Sequence, residues 1–304
     1  MNDRVAMGTA TVSPVRMRRC TGLLLGWIAL TLSVAACRES APTEPATSNP
    51  GQARIVSLSP ALTSTLTALG AESLLVGRTP WCQTRGDVAV VGSLLDLDAE
   101  ALVGVRPTVI LVQPPVQGAP PALDRLAGEY GWRVESFRID SLGDVREVIA
   151  SLSTILETGA DDVRSLALRT NSRALLHDLD AALAPIDTAS RLGRTLVLLV
   201  GSESADPLGF GPDTYIGGAL TSMGVTNALT RDGYPALSWE ALARLAPDTI
   251  ILLGRRSSEA AATVHRILPN ARVAPLDAPD LLQPGGGMVA SLRALRATLD
   301  EVAR

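Results

Sequence analysis

Leu97-Asp98-Ala99-Glu100-Ala101-Leu102, followed by Val105, Pro107 and Ile110, returns 140 residues later as Leu237-Ser238-Trp239-Glu240-Ala241-Leu242, followed by Leu245, Pro247 and Ile250. No gap is needed to align Leu, Glu, Ala, Leu, Pro and Ile. Each copy opens on a residue suited to cap a helix amino end, Asp98 or Ser238. It then runs through about a turn and a half of apolar helix, breaks at proline and enters an apolar strand. The repeat predicts two lobes of similar build within the 304 residues.

Working outward, Arg54-Ile55-Val56-Ser57-Leu58 ahead of Ser59-Pro60 reads as a strand meeting a helix start. A helix over 61–69 stops at Gly70, a residue suited to a helix end. A short strand follows over 74–77, then a helix near 98–105, a strand over 108–112, a helix near 121–130 and a strand over 133–139. The second half repeats the alternation with a strand over 194–200 and a helix near 214–223 stopped by Gly224. An amphipathic helix over 260–268 and a closing helix over about 289–302 complete it. Strands alternating with helices predict an α/β fold of two Rossmann-like lobes with mainly parallel sheets. Between them, 159–184 has Asp161 and Asp162 in its first turn, Pro185 after its end, and Val163, Leu166, Thr170 and Ala174 on one face. This predicts one amphipathic helix of about 25 residues and nearly 40 Å, stiffer than a flexible hinge. The organisation is therefore 54–157 for the first lobe, 158–185 for the linker helix and 186–304 for the second lobe.

Composition excludes several chemistries. Aromatics make up only 3% of the chain, so the core rests on Leu, Val, Ala and Ile. All 27 basic residues are Arg, which removes P-loop, Schiff-base and Ser-Lys mechanisms. Two histidines, His177 and His265, cannot build a His-rich metal site. A net charge of −4 without a basic run argues against a nucleic-acid partner. Gly201-Ser202-Glu203-Ser204-Ala205 approaches a nucleophile elbow but has Ala205 where the pattern needs glycine. Gly209-Phe210-Gly211 lacks the third glycine of a dinucleotide fingerprint, since Thr214 stands there. His265 falls in an amphipathic helix and reads as structural. The expectation is a protein that is not an enzyme and carries no cofactor or metal of its own.

The amino end reads as a targeting segment. Arg16, Arg18 and Arg19 precede a mostly apolar run over 20–36, whose 17 residues reach about 25 Å, short of a ~30 Å bilayer core. Its end, Val34-Ala35-Ala36-Cys37, resembles a bacterial lipobox, in which residues 1–36 are removed and Cys37 is lipidated. More than one acyl chain gives stable anchoring. Removal takes away four Arg and one Asp, leaving the remainder more acidic than the full chain. Residues 37–53, rich in Pro, Ser, Thr and Ala, read as a flexible tether. With Cys37 lipidated, Cys82 has no partner for an intrachain disulfide.

Taken in order, Arg54-Ile-Val-Ser-Leu-Ser-Pro60, Val76-Gly77 with Trp81-Cys82, Val91-Gly92, Glu100 through Pro107, and Tyr234-Pro235-Ala-Leu-Ser238 before Glu240 resemble the helical-backbone class of periplasmic substrate-binding proteins. These serve ABC importers of cobalamin, ferric siderophores and heme. The likeness covers roughly 54–304 and is greatest to the cobalamin binders. It implies a cleft between the lobes, at the carboxyl ends of the strands, where open α/β sheets generally bind. Trp81, Phe210 and Tyr234 fall on loops beside that crevice, either to face a large planar or bulky ligand or to fill gaps against the core. Leu94 stands where the cobalamin binders have a further tryptophan. Arg78, Arg85 and Arg255, at loop ends, suit either a ligand's anionic groups or plain solvation. Gln283-Pro284-Gly285-Gly286-Gly287 fits either an anion at a helix start or a turn. The resemblance further implies that Glu100 and Glu240, one per lobe, dock onto arginines of a two-fold symmetric permease served by separate ATPase subunits. The alternative is a carboxylate in a first helical turn, contributing about 0.3–1 kcal/mol against the dipole.

Overall fold

The computed structural model describes residues 52–115, 118–201 and 206–304. The expected targeting segment, Cys37, most of the expected tether and the serines of the 201–205 motif lie outside the described residues.

The first lobe runs β1 (Ile55–Ser57), α1 (Pro60–Ala68), β2 (Leu75–Arg78), β3 (Ala89–Val90), α2 (Ala99–Gly104), β4 (Val109–Val112), α3 (Pro121–Tyr130) and β5 (Arg133–Ser136). Its sheet has the order β3-β2-β1-β4-β5, every pair parallel. Helices α4 (Leu142–Glu157) and α5 (Asp162–Ala182) lead to the second lobe. That lobe comprises β6 (Arg194–Leu199), β7 (Leu208–Gly209), α6 (Tyr215–Ser222), β8 (Thr226–Asn227), α7 (Trp239–Leu245), β9 (Thr249–Leu253), α8 (Ser257–Ile267), β10 (Arg272–Leu276) and α9 (Met288–Val302). Its sheet runs β10-β9-β6, with β8 parallel to the start of β6 and β7 antiparallel to its end. Among the described strands that pair is the antiparallel one, and isolated antiparallel bridges also join Gly92 to Leu97 and Leu208 to Ala236.

The repeat holds at the level of single hydrogen bonds. Ile55 pairs with Val109, and Thr195 with Thr249, the same two positions moved by one repeat. Arg54 N–H donates to Thr108 Oγ1 (2.9 Å) while Arg194 N–H donates to Asp248 Oδ2 (2.8 Å). The Arg54 guanidinium caps the carbonyls of Val105 (2.7 Å) and Arg106 (2.9 Å) at the end of α2. Arg194 does the same at the end of α7, to Leu245 (3.0 Å). Arg106 and Ala246, each just before the repeat's proline, hold left-handed φ values of 45° and 43°.

Alternation along the strands divides the core into three. Val56, Ile110 and Val112 point outward to meet Leu102 of α2 and Leu123 of α3. Ile250 and Leu252 do so in the second lobe, against Leu242 of α7 and Val264 of α8. The intervening residues, Ile55, Val109 and Leu111 and then Val197, Ile251 and Leu253, join one inner core with α1, α4, α5, α6 and α9. The repeated motif is thus the outer layer of each lobe, and the inner layer is shared. Full burial of a leucine such as Leu102 or Leu242 is worth about 1.5–3 kcal/mol.

Helix α5 is shorter than the expected 159–184 and acts as a brace. Asp178 pairs with Arg293 of α9 (2.9 Å), Asp180 with Arg146 of α4, and Arg169 with Glu157 at the end of α4 (2.8 Å). Asn171 Nδ2 donates to Leu69 O (2.9 Å), closing the end of α1. Helix α4, absent from the sequence reading, starts on a reciprocal cap: Asp144 N–H donates to Ser141 Oγ (3.3 Å), and Ser141 N–H donates to Asp144 Oδ2 (2.8 Å).

Candidate functional site

Segments that follow strands of the two lobes meet at two places. The amino end of α1, which follows β1, packs on Gly285-Gly286-Gly287, which follow β10. A Cβ on Gly285 would lie 2.5 Å from Ala61 O, and Gly286 N–H donates to the buried Thr65 Oγ1 (2.8 Å) across the lobes. The glycine tract is therefore a close lobe-to-lobe contact, and its middle amide is already engaged. On the other flank Leu142, opening α4, packs on Gly218 of α6. Tyr234 after β8 lies within electrostatic reach of Asp140 after β5. The carboxyl ends of the two sheets thus share one crevice. A cavity of about 510 Å³ opens on its α1 side, lined by Pro60, Ser64 and Arg85 from one lobe and Asp280, Gln283 and Gly287 from the other. That volume is in the range of small-molecule sites.

Trp81 and Tyr234 are the exposed aromatics here, 64% and 46% accessible, one on each lobe. The Trp81 loop is pinned from beneath. The half-buried Arg78 donates to Thr79 O (3.0 Å) and Cys82 O (3.2 Å), and Trp81 N–H donates to Thr79 Oγ1 (3.3 Å). Arg78 therefore turns back into its own loop. Cys82 is buried, its Sγ 3.1 Å from Thr79 Oγ1.

Phe210 is only 3% exposed. It meets Tyr234 edge-to-face at 5.6 Å and Tyr215 at 6.4 Å, so it supports the Tyr234 ring and offers almost no face of its own. Burial, then the Asp140 and Asp213 carboxylates, push the Tyr234 phenol above its usual range. It is a neutral hydrogen-bonding group near pH 7.

Leu94 is 7% exposed and packs in the outer core of the first lobe. Arg85 is exposed on the cavity rim and Arg255 is exposed just after β9. His177 is exposed on α5 and His265 near the far end of α8, so the expected structural role of His265 is not a buried one. Among the described residues no group of three or more His, Cys, Asp or Glu could hold a metal ion. None of their helices is long and apolar enough to cross a membrane.

Sequence reading missed two groups at the crevice. Arg138 and Asp140 form an ion pair after β5, and Gln113 follows β4. The first carried a signal in the Ser141 cap just beyond it; the second had none.

Glu100 and Glu240 are both exposed in the first turn of α2 and α7. Asp98 and Ser238 cap these helices identically, accepting from Ala101 N–H (2.9 Å) and Ala241 N–H (3.2 Å). Each helix runs back from the carboxyl edge of its sheet, so both glutamates stand at the level of the crevice. The Glu240 carboxyl is held below the usual carboxylate range by its own backbone N–H and then by the Ser238 hydroxyl.

Two lobes sharing a crevice at their strands' carboxyl ends, with an exposed aromatic from each, define a two-lobe ligand-binding protein. Residues 55–278 match the model of the periplasmic binding protein family, and the chain belongs to that family, whose members are binding proteins of the extracytoplasmic side and not enzymes. Similar solved structures include the periplasmic heme binding protein HutB of Vibrio cholerae, at 22% identity over 81% of this chain and 98% of that one, with a TM-score of 0.65. A periplasmic heme binding protein from Pseudomonas aeruginosa matches at 25% identity over 83% and 94%, with a TM-score of 0.62. The periplasmic vitamin B12 binding protein BtuF of Vibrio cholerae matches at 18% over 83% and 98%, with a TM-score of 0.63. No curated protein matches the chain.

Proposed function

We propose that this chain is the ligand-capturing component of an ABC importer, anchored through lipid on Cys37, and that it takes cobalamin or a related corrinoid into the crevice. The observation that carries this reading is the pair Trp81 and Tyr234, exposed aromatics on loops that follow strands in the two lobes. Flat apolar rings on both sides of a crevice suit a large planar cargo at low entropic cost.

Cargo chemistry favours a corrinoid. Neither histidine stands on the crevice loops, His177 lying on α5 and His265 near the far end of α8. A corrinoid brings its own nitrogen ligands for cobalt and asks the protein only for faces and hydrogen bonds. Heme is the second reading, supported by the heme-binding structures among those similar to this chain; a ferric siderophore shares the same demands for aromatics and arginines.

Glu100 and Glu240 serve as the docking carboxylates, one per lobe, matching a two-fold symmetric permease. ATP hydrolysis on separate subunits then drives release and passage. Absorbance titration of the purified protein with cyanocobalamin, hemin and a panel of ferric siderophores tests the cargo. Cyanocobalamin is expected to bind at micromolar or tighter Kd without chemical change. Binding of hemin alone selects the second reading, and turnover of any of them contradicts both.

A further inference from the structure

The first sheet has a topological switch point of its own. Its central strands β1 and β4 are neighbours, yet the helices that follow them take opposite faces: α1 lies in the inner core and α3 in the outer one. The chain therefore parts at the carboxyl ends of β1 and β4, the kind of point where open α/β sheets receive ligands. Ser59 and Gln113 stand on either side of this parting.

Their hydrogen bonds have one direction. Ser59 Oγ accepts from Leu62 N–H (3.4 Å) as the cap of α1, which leaves its proton to be donated to Gln113 Oε1 (2.8 Å). Beneath it Thr63 Oγ1 donates to Ser57 Oγ (2.9 Å), and Ser57 Oγ donates to Ser59 O (3.0 Å), all three hydroxyl residues being buried. The carboxamide oxygen of Gln113 is thereby committed. Its NH2 has no hydrogen-bond partner among the described residues, and the residue is half-buried.

We infer that Gln113 is a specificity-determining residue of the crevice. Its carboxamide, set by Ser59, donates to a carbonyl or carboxylate oxygen on the cargo's periphery. The inference rests on the crevice being the cargo site. The acceptor is an amide side chain if the cargo is a corrinoid and a propionate if it is heme.

The test is titration of the wild type, Gln113→Leu and Gln113→Glu with cyanocobalamin and with hemin, alongside thermal unfolding of all three. If cyanocobalamin is the cargo, both variants bind it about tenfold more weakly, the loss of one neutral hydrogen bond. If hemin is the cargo, Gln113→Leu loses about tenfold or more and Gln113→Glu more again, because two carboxylates then face each other. Gln113→Glu keeps an acceptor for Ser59 and melts close to the wild type, whereas Gln113→Leu strands the buried Ser59 hydroxyl and melts a few degrees lower while still folding cooperatively. Wild-type affinity in Gln113→Leu for whichever cargo the wild type binds overturns this inference and leaves the cargo reading standing. Failure of the wild type to bind either cargo overturns that reading, and this inference with it.

Discussion

Ala246 ends α7 in the left-handed region at φ 43°, ψ 61°, where a Cβ costs about 1–2 kcal/mol. The position is tolerated because the Arg194 guanidinium closes the helix just before it and Pro247 stops its continuation. Ala246→Gly is expected to raise the unfolding free energy by about 0.5–1 kcal/mol in urea titration, strain relief exceeding the added chain entropy. Tyr215 makes a pH-dependent contribution. Burial, and then Tyr234, hold its phenol protonated well above the usual tyrosine range. A group with a raised folded pKa stabilises below its unfolded value, about 10, and loses that contribution as pH rises further. Urea midpoints should therefore fall from pH 9 to pH 11 in the wild type and fall less in Tyr215→Phe. Equal falls would show that Tyr215 ionises freely in the folded protein.

At the scale of elements, α2 and α7 fill the same place in the two outer layers, and Leu102 and Leu242 are both fully buried. Leu102→Ala and Leu242→Ala should each cost about 2–5 kcal/mol, the cavity range for such a truncation, read from denaturant curves. These layers were legible because cap, short helix, proline and buried strand are all local signals, and they occur twice. The same reasoning located α1, α3, α6 and α9 to within a residue or two. Helix α4 escaped although Val145, Val148, Ile149, Leu152 and Leu156 follow helical spacing behind the Ser141 cap. Gly159 and the acidic start of α5 give the stronger local helix signal. Strands β3, β7 and β8 have two residues each, too few for alternation to register. Phe210 read as a loop aromatic because its burial comes from Tyr215 and Tyr234, partners brought in by folding. Arg78 likewise read as a cleft cation, since the carbonyls that hold it belong to a loop shape that sequence does not display.

Across the whole molecule, the lobes are held together more tightly than a single connecting helix would achieve. The inner core is continuous through both, α5 is paired to α4 and α9, and the glycine tract lets α1 approach closely enough for the Gly286–Thr65 hydrogen bond. A Cβ at Gly286 would already lie about 2.9 Å from Leu175 Cδ2 and 3.2 Å from Thr65 Cα, and Gly286→Val adds two methyl groups beyond it. It should destabilise the protein by about 1–3 kcal/mol and widen the lobes detectably in small-angle scattering. An unchanged scattering profile and midpoint would mean the tract is only a turn. The pseudo-symmetric glutamates also act at this scale. Reversing both, Glu100→Arg with Glu240→Arg, is expected to abolish uptake in cells while leaving ligand affinity within about twofold, because exposed helix-start charges contribute little to the free protein. Lost affinity in the purified double variant would place them in ligand binding.

The central claim is that one ligand is held by both lobes at once. Affinities of Trp81→Ala, Tyr234→Ala and the double variant for the cargo that the wild type binds test it most directly. Each single change should weaken binding about tenfold or more, as loss of a large aromatic contact does, and the double variant should bind more weakly than either. Wild-type affinity in either single variant would contradict the account, since the crevice would then be gripped from one side or bypassed.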